Sequence, residues 1–182
     1  MNILKPQKIL FEKLRNIENL LEEIKDIQEI ENISLENYKE ENIEINDINI
    51  EKSIIINTDI INSNLEKNTF MDVEFKNCNF SNTSFENCCF IRCEFTDCKM
   101  TGCNFIESRL YNVSFIETNL NYSNLSMASI ENVFFDNTGL RNSNFQENKL
   151  KNIVFEQVDL DGAITTRATL HNISYIEDLQ LG

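Results

Sequence analysis

Large apolar or aromatic residues recur at every fifth position over most of the chain. Of the 26 positions at this spacing from Ile50 to Tyr175, 25 carry such a residue and only Thr165 does not. This period fits neither an α-helix, whose apolar face recurs every 3.6 residues, nor a β-strand, whose faces alternate every two. A fixed repeat of this kind predicts a solenoid, in which each coil buries its apolar side chains against the next coil.

The residues two positions before the large ones form a second column, in which most side chains are small. One large and one small residue in every five, with polar residues between them, predict a narrow tube with both columns inside. Asn or Gly often stands two residues after the large residue, as at Asn77, Asn82, Gly102 and Gly162. Because both residue types tolerate a positive φ, these positions are predicted to be the left-handed corners of type II turns.

On these repeats the sequence resembles the pentapeptide-repeat family, whose motif is A(D/N)LXX. The segments that carry the resemblance are SNTSF, ENCCF, TDCKM, LNYSNL and VDLDGA, within residues 45–175. The resemblance implies an all-β solenoid, a right-handed quadrilateral β-helix in which four pentapeptides make one coil. Twenty-six repeats would make about 6–7 coils and a rod roughly 30 Å long.

Before the repeats, the apolar spacing changes to that of a helix. The residues at steps of four and three are Leu10, Leu14, Ile17, Leu21 and Ile24, followed by Ile27 and Ile30. They predict an N-terminal α-helix over residues 8–30, which packs on the rod, caps its end or pairs with a second copy. We therefore divide the chain into an N-terminal helical appendage and connector (1–44), the repeat β-helix (45–175) and a C-terminal tail (176–182).

The closing repeats contain a second, much shorter resemblance. Residues 166–172 (TRATLHN) are similar in style to a segment of bacterial NAD-dependent DNA ligases. The lysine motif of those ligases is absent, so no ligase role follows from this stretch.

The overall charge limits the classes of partner. The net charge is −14 and the isoelectric point is about 4.5, so the chain lacks the basic surface that binding a phosphate backbone requires. No apolar run is long enough to span a membrane and no signal peptide is recognisable, so we expect a cytoplasmic protein without a membrane segment.

The cysteines invite a metal or disulfide interpretation, which their positions disfavour. Five of the six stand in the small inward column: Cys78, Cys88, Cys93, Cys98 and Cys103. No CxxC pair occurs and His171 stands far along the rod, so no zinc site is expected. Cys78 and Cys98 are one coil apart, within reach of a disulfide, but a cytoplasmic location argues against one. Cys89 is outward and is the one thiol expected to be accessible.

No catalytic template is recognisable. The chain has one His and no Trp, and it lacks GxSxG, HExxH and Gly-rich phosphate-loop motifs. We therefore expect a non-enzymatic protein without a cofactor.

Assigning each outward residue to one of four sides gathers the acidic residues on one of them. The side built on Phe75, Phe95, Phe115, Phe135 and Phe155 carries seven acids against Lys76 alone, a net charge of −6. The acids are Glu74, Glu94, Asp97, Glu117, Asp136, Glu156 and Glu177. We call this set the acidic stripe and expect it to be a partner-binding face.

A second outward column is apolar and consists of Met71, Ile91 and Tyr111, which are separated by four pentapeptides each. We call it the apolar patch. Because contiguous exposed apolar surface marks contact sites, we expect the N-terminal helix or a second subunit to dock there. The C-terminal end of the rod is a competing site for a homodimer.

Two functions follow as expectations. Members of the family that confer fluoroquinolone resistance mimic DNA and bind a type II topoisomerase. The resemblance, with the acidic stripe, therefore implies binding to DNA gyrase or topoisomerase IV. The alternative is a structural or protein–protein interaction scaffold with an unknown partner, which describes most of the family.

Overall fold

The structure, a computed structural model, describes residues 13–25 and 27–176. In these residues the chain winds into a right-handed β-solenoid of about eight turns, with almost no helix. From β2 (Glu29–Glu31) onward, paired strands are parallel and lie four pentapeptides apart, as in the series Asn49, Thr69, Cys89, Arg109 and Ser129. The predicted coil of four pentapeptides and the quadrilateral β-helix are therefore confirmed.

The strands lie mainly on two adjacent sides of the tube. The elements are β1 Arg15–Ile17, α1 Leu20–Glu23, β2 Glu29–Glu31, β3 Ile33–Glu36, β4 Lys39–Glu41, β5 Asn49–Ile56, β6 Asp59–Ile61, β7 Thr69–Lys76, β8 Cys89–Ile91, β9 Glu94–Thr96, β10 Arg109–Tyr111, β11 Ser114–Ile116, β12 Ser129–Asp136, β13 Lys149–Glu156 and β14 Thr169–Ile176. We name each side after one inward residue: Phe70, Phe75, Phe80 and Phe85, in order around the tube. The longest strands turn the corner between the Phe70 and Phe75 sides. On the other two sides most neighbouring coils are joined by isolated bridges.

The tube is filled by the two predicted columns. Phe75, Phe95, Phe115, Phe135 and Phe155 stack in a single file with ring centroids 4.5 to 5.2 Å apart and interplanar angles of 3° to 13°. The small column closes the gaps between files, and its hydroxyl and thiol groups donate to carbonyl oxygens 23 residues earlier. The frame assigned from sequence is therefore confirmed.

Every corner is left-handed. Positive φ occurs at each fifth position from Asn32 to Asn172, always two residues after the large inward position. The prediction made for Asn and Gly is confirmed, but bulky residues such as Tyr122 and Met127 take the same conformation. The coil geometry therefore overrides the local preference of these residues.

The N-terminal helix is much shorter than predicted. Helix α1 spans only Leu20–Glu23 and begins where the Asn19 side chain accepts a hydrogen bond from the Glu22 N–H. A helix over residues 8–30 is wrong for the described part, because Arg15–Ile17 and Glu29–Glu31 are strands of the solenoid. The first few residues of that predicted helix lie outside the described residues.

The coils begin before residue 45. Strand β3 pairs in register with β5, and Ile30, Ile33 and Leu35 are buried in the same core as the later repeats. These extra residues raise the number of coils from the expected 6–7 to about eight. The division of the chain into domains at residue 44 stays a prediction.

Leu20 of α1 lies at the N-terminal end of the core. It is buried and borders, with Ile45 and Ile50, an apolar internal cavity of only about 20 Å³. A cavity of this size has room for a single water molecule at most. The tube therefore has a packed interior at this end.

Candidate partner-binding surfaces

The acidic stripe lies on the outside of the Phe75 side, as predicted from the repeat frame. Strand pairing places Glu74 directly beside Glu94 and Asp136 directly beside Glu156. Asp97 and Glu117 occupy left-handed corners one coil apart. The six described acids thus form a continuous line over adjacent coils, whereas Glu177 lies outside the described residues.

The stripe stacks like charges, which raises the pKa of one member. Asp97 raises the pKa of Glu117, mainly through a hydrogen bond between the two side chains and also through charge repulsion. The negative charge of Asp136 adds to that repulsion. The Nζ of Lys76 lies 2.6 Å from Oε2 of Glu74 and compensates the charge of that carboxylate. Asp97, Glu117, Asp136 and Glu156 form no ion pair with any described residue.

Elsewhere on the rod, charges one coil apart are mostly opposite. Ion pairs between residues one coil apart are Lys39–Asp59, Arg92–Asp72, Arg141–Asp161, Lys151–Glu131 and Arg167–Glu147. Two other stacked acid pairs, Glu31–Glu51 and Glu66–Glu86, have compensating donors. The side chains of these donors form hydrogen bonds to the carboxylates: Lys52 donates to Glu31, Ser84 to Glu66 and Asn104 to Glu86. The stripe is therefore the exception to the pattern of charge on this rod.

The apolar patch forms the predicted file on the Phe70 side. Met71 pairs in register with Ile91, and Ile91 with Tyr111. Met71 and Ile91 are half-buried by their neighbours, whereas Tyr111 is exposed. Docking of the N-terminal segment or of a second copy on this patch stays a prediction.

The thiols have the environments that the repeat frame predicts. The five cysteines of the inward column are buried, Cys89 is half-buried, and all six are free. Burial raises the pKa of Cys88, Cys93 and Cys103 to about 12 each. Burial also raises the pKa of Cys89, partly offset by the nearby Arg109. The accessible thiol is therefore not an activated nucleophile.

Sequence reasoning missed two surface residues at corners. Tyr122 and Met127 stand at successive corners of one coil, with 65% and 48% of their surface exposed. They have φ of 61° and 58°, where the predicted corner residues are Asn and Gly. A large side chain at a corner position of the frame was the available signal.

Two kinds of feature are absent from the part of the chain that the structure describes. No group of three or more His, Cys, Asp or Glu residues there has an arrangement that could hold a metal ion. No helix within the same residues is long and apolar enough to cross a membrane.

Comparison with known proteins agrees with the geometry. The family model described as "Pentapeptide repeat region" matches residues 88–164, and the model "Pentapeptide repeats (8 copies)" matches residues 55–87 and 69–105. No curated protein matches the chain.

Three of the solved structures that match do so at low sequence identity. A trypsin-treated variant of QnrB1, a plasmid-mediated fluoroquinolone resistance protein, is 16% identical over 78% of this chain and 91% of its own, with a TM-score of 0.33. HetL, a pentapeptide repeat protein involved in heterocyst differentiation regulation from Nostoc sp. strain PCC 7120, is 12% identical over 77% of this chain and 86% of its own, with a TM-score of 0.24. Rfr23 from Cyanothece 51142 is 12% identical over 86% of this chain and 95% of its own, with a TM-score of 0.24. On its sequence motifs and coil geometry, the chain belongs to the pentapeptide-repeat family.

Proposed function

We propose that this chain is a non-catalytic binding protein whose acidic stripe enters the DNA-binding groove of DNA gyrase or topoisomerase IV. The observation that carries the proposal is the succession of like charges without ion pairs at Asp97, Glu117, Asp136 and Glu156. Stacked carboxylates repel one another, so they do not contribute to holding the coils together. A basic groove would compensate them and bind the rod through complementary charge.

The charge spacing supports a mimic of one DNA strand. The four carboxylates from Asp97 to Glu156 span about three coil steps, or roughly 14 Å. One strand of B-DNA carries about four phosphates over that length. The stripe therefore approaches the charge of one strand, about half that of a duplex.

The rest of the proposal follows from this partner. Occupation of the groove would compete with DNA and protect the enzyme from fluoroquinolones that act on its DNA complex. Binding to a bacterial topoisomerase places the protein in the cytoplasm, which agrees with six free cysteines.

A charge-reversal experiment tests the proposal. Glu94→Lys with Glu117→Lys changes the stripe by +4, and the control Glu29→Lys with Glu41→Lys makes the same change at exposed sites away from it. We expect wild type and the control to inhibit gyrase supercoiling at low salt, and the stripe variant to lose inhibition and its salt dependence.

Two results would contradict the proposal. If micromolar wild-type protein leaves supercoiling by gyrase and relaxation by topoisomerase IV unchanged, the scaffold alternative replaces it. If the control variant loses inhibition as much as the stripe variant, net charge rather than the stripe is responsible.

A further inference from the structure

Cys78 and Cys98 are stacked one coil apart inside the tube, just after the corner that leads onto the Phe80 side. The Lys99 N–H donates a hydrogen bond of 2.8 Å to the Cys78 carbonyl, which fixes the register of the two coils at this point. Both side chains are buried. Among the described residues no other cysteine of the inward column has a cysteine one coil away. The residues above and below those cysteines are Asn68 and Ser108, Val73 and Val113, and Thr83 and Ser123.

The two stacked thiols are held less tightly than other buried thiols. The sulfur of Cys78 lies 3.3 and 3.4 Å from two carbonyl oxygens, and that of Cys98 lies 3.4 and 3.6 Å from two others. The thiols of Cys88 and Cys103 donate to carbonyl oxygens at 2.8 and 2.9 Å instead. The stacked thiols therefore have weaker backbone contacts to give up if they react with each other.

The two thiols also differ in acidity. A hydrogen bond with the thiol of Cys98 lowers the pKa of Cys78, whereas the same contact, together with burial, raises the pKa of Cys98. The thiolate is the form of cysteine that reacts with oxidants. Cysteines that sense oxidants combine a lowered pKa with a neighbouring cysteine that completes the reaction.

The solenoid has few hydrogen bonds between coils beside this pair. Isolated bridges join Asp59 to Asn79 and Asn79 to Lys99, whereas continuous strands join the coils on the Phe70 and Phe75 sides. A surface groove on the same side includes Cys78 in its lining. Regions with few backbone hydrogen bonds open locally at low cost. Such an opening admits hydrogen peroxide, which is little larger than water, but not an aromatic thiol reagent.

We propose that Cys78 and Cys98 are a redox modification site, at which hydrogen peroxide forms a reversible disulfide between neighbouring coils. Adjacent strands lie about 4.8 Å apart, and the Cα atoms of a disulfide are about 4.4–6.8 Å apart. The Cβ atoms have to approach by less than about 1 Å to reach the separation that a disulfide requires. A slightly strained disulfide is readily reduced, and disulfides of cytosolic proteins are mostly transient or redox-sensing. The inference does not depend on the topoisomerase proposal.

The reaction takes place in two balanced steps. The Cys78 thiolate attacks one oxygen of hydrogen peroxide, the O–O bond breaks, and the leaving hydroxide takes up a proton to become water. Cys78 is then a sulfenic acid. The sulfur of Cys98 attacks that of Cys78, the S–O bond breaks, and the proton of Cys98 leaves with the hydroxide as a second water. Two thiols are oxidised to one disulfide, and one peroxide is reduced to two waters.

The disulfide should stabilise the rod. It closes a loop of 20 residues in the unfolded chain and so lowers the entropy of that state. A cross-link of this length, less the strain of the closed bond, should raise the unfolding temperature by up to about 10 °C. Reduction with dithiothreitol should return the unfolding temperature to its original value.

Peroxide treatment of the folded, full-length chain tests the proposal. The experiment uses a Cys89→Ser background, which removes the half-buried thiol and with it disulfides between molecules. Well below the unfolding temperature, we expect the protein to lose the mass of two hydrogen atoms and to show two fewer titratable thiols after unfolding. Peptide mapping should identify the pair as Cys78 and Cys98.

Threonine variants identify the role of each thiol. Threonine already occupies this column at Thr118 and Thr138, where its hydroxyl donates to the carbonyl 23 residues earlier, so Cys78→Thr and Cys98→Thr should fold. Both should abolish the disulfide. Peroxide should add an oxygen to Cys78 in the Cys98→Thr variant, but leave Cys98 unmodified in the Cys78→Thr variant.

Cys103→Thr is the matched control, because its column contains Thr83, whose hydroxyl also donates to the carbonyl 23 residues earlier. It removes a buried cysteine that has no cysteine one coil away. The disulfide should form in this variant at the wild-type rate.

Four outcomes would overturn the proposal. Peroxide that oxidises the buried thiols only under conditions that unfold the chain would show that the site is closed in the folded protein. A disulfide mapped to another pair, or its loss in Cys103→Thr, would show that stacking does not select the pair. Oxygen added to Cys98 rather than Cys78 would contradict the assigned roles. An unfolding temperature that falls on oxidation would show that the strain exceeds the stabilisation.

Discussion

Truncation of Phe115 tests the packing of the tube most directly. This ring is fully buried and lies between Phe95 and Phe135, at centroid distances of 5.0 and 5.2 Å. Phe→Ala in a packed core costs about 3–5 kcal/mol. Two stacked contacts are lost as well, and each is worth about 0.5–1.5 kcal/mol beyond burial. Because relaxation of the file recovers part of the loss, we expect about 4–5 kcal/mol for Phe115→Ala.

Thermal unfolding followed by circular dichroism measures this cost. For a chain of this size, 1 kcal/mol corresponds to about 2–4 °C, so the unfolding temperature should fall by roughly 8–20 °C. Coils contact only their neighbours, so the transition should also broaden as the rod separates into two halves.

Phe134→Ala is the matched control, because Phe134 is on the same side but points outward and is half-buried. It should lower the unfolding temperature by only a few degrees. A loss below about 2 °C for Phe115→Ala, or equal losses for both variants, would refute the assignment of inward and outward positions.

Three further predictions concern single groups. Titration of the native protein with a thiol reagent should modify Cys89 alone, at a rate that rises with pH above neutrality, while the five buried cysteines react only after unfolding. Asn148→Thr should raise the unfolding temperature by about 2–4 °C, because the buried amide has no partner among the described residues and a threonine in this column donates to the carbonyl 23 residues earlier. Asn68→Thr is its control and should destabilise, since both ends of the Asn68 amide are hydrogen-bonded. Glu117→Gln should raise the unfolding temperature at pH 7, with a difference from wild type that shrinks on acidification. The folded-state pKa of Glu117 is raised by Asp97, so stability increases as the pH falls through it. A gap that widens on acidification would contradict this.

The coil frame was predictable because one residue in five must fill the tube. From Ile50 to Leu160 the inward position is always large, so the period alone identifies the side to which each outward residue belongs. The positions of the acidic stripe followed from this arithmetic. The ion pairing within the stripe could not be predicted from the period, because the contact of Lys76 with Glu74 depends on side-chain conformation.

The first coils were missed because large residues occupy both inward columns there and Glu40 interrupts the large one. Ile33 and Tyr38 are buried in the column that elsewhere holds small residues, whereas Glu40 stands in the large column. Because large residues in both columns hide the five-residue period, the apolar residues near Ile17 and Ile30 matched the spacing of a helix equally well. The backbone repeat nevertheless continues there, because positive φ begins at Asn32.

The corners show why a contact surface could not be read from residue preferences alone. Parallel hydrogen bonds between coils fix the backbone of every corner, so Tyr122 adopts the same conformation as Asn82 although a side chain of its size disfavours it. Side chains at some corners join neighbouring coils, as in the Arg92–Asp72 ion pair, whereas Glu117 stacks on the like charge of Asp97 and is not needed to hold the coils together. Replacing Glu117 by Gln should therefore stabilise the rod slightly while weakening binding to the proposed topoisomerase partner. The combination separates a contact residue from a structural one, because loss of a structural residue would lower stability and association together.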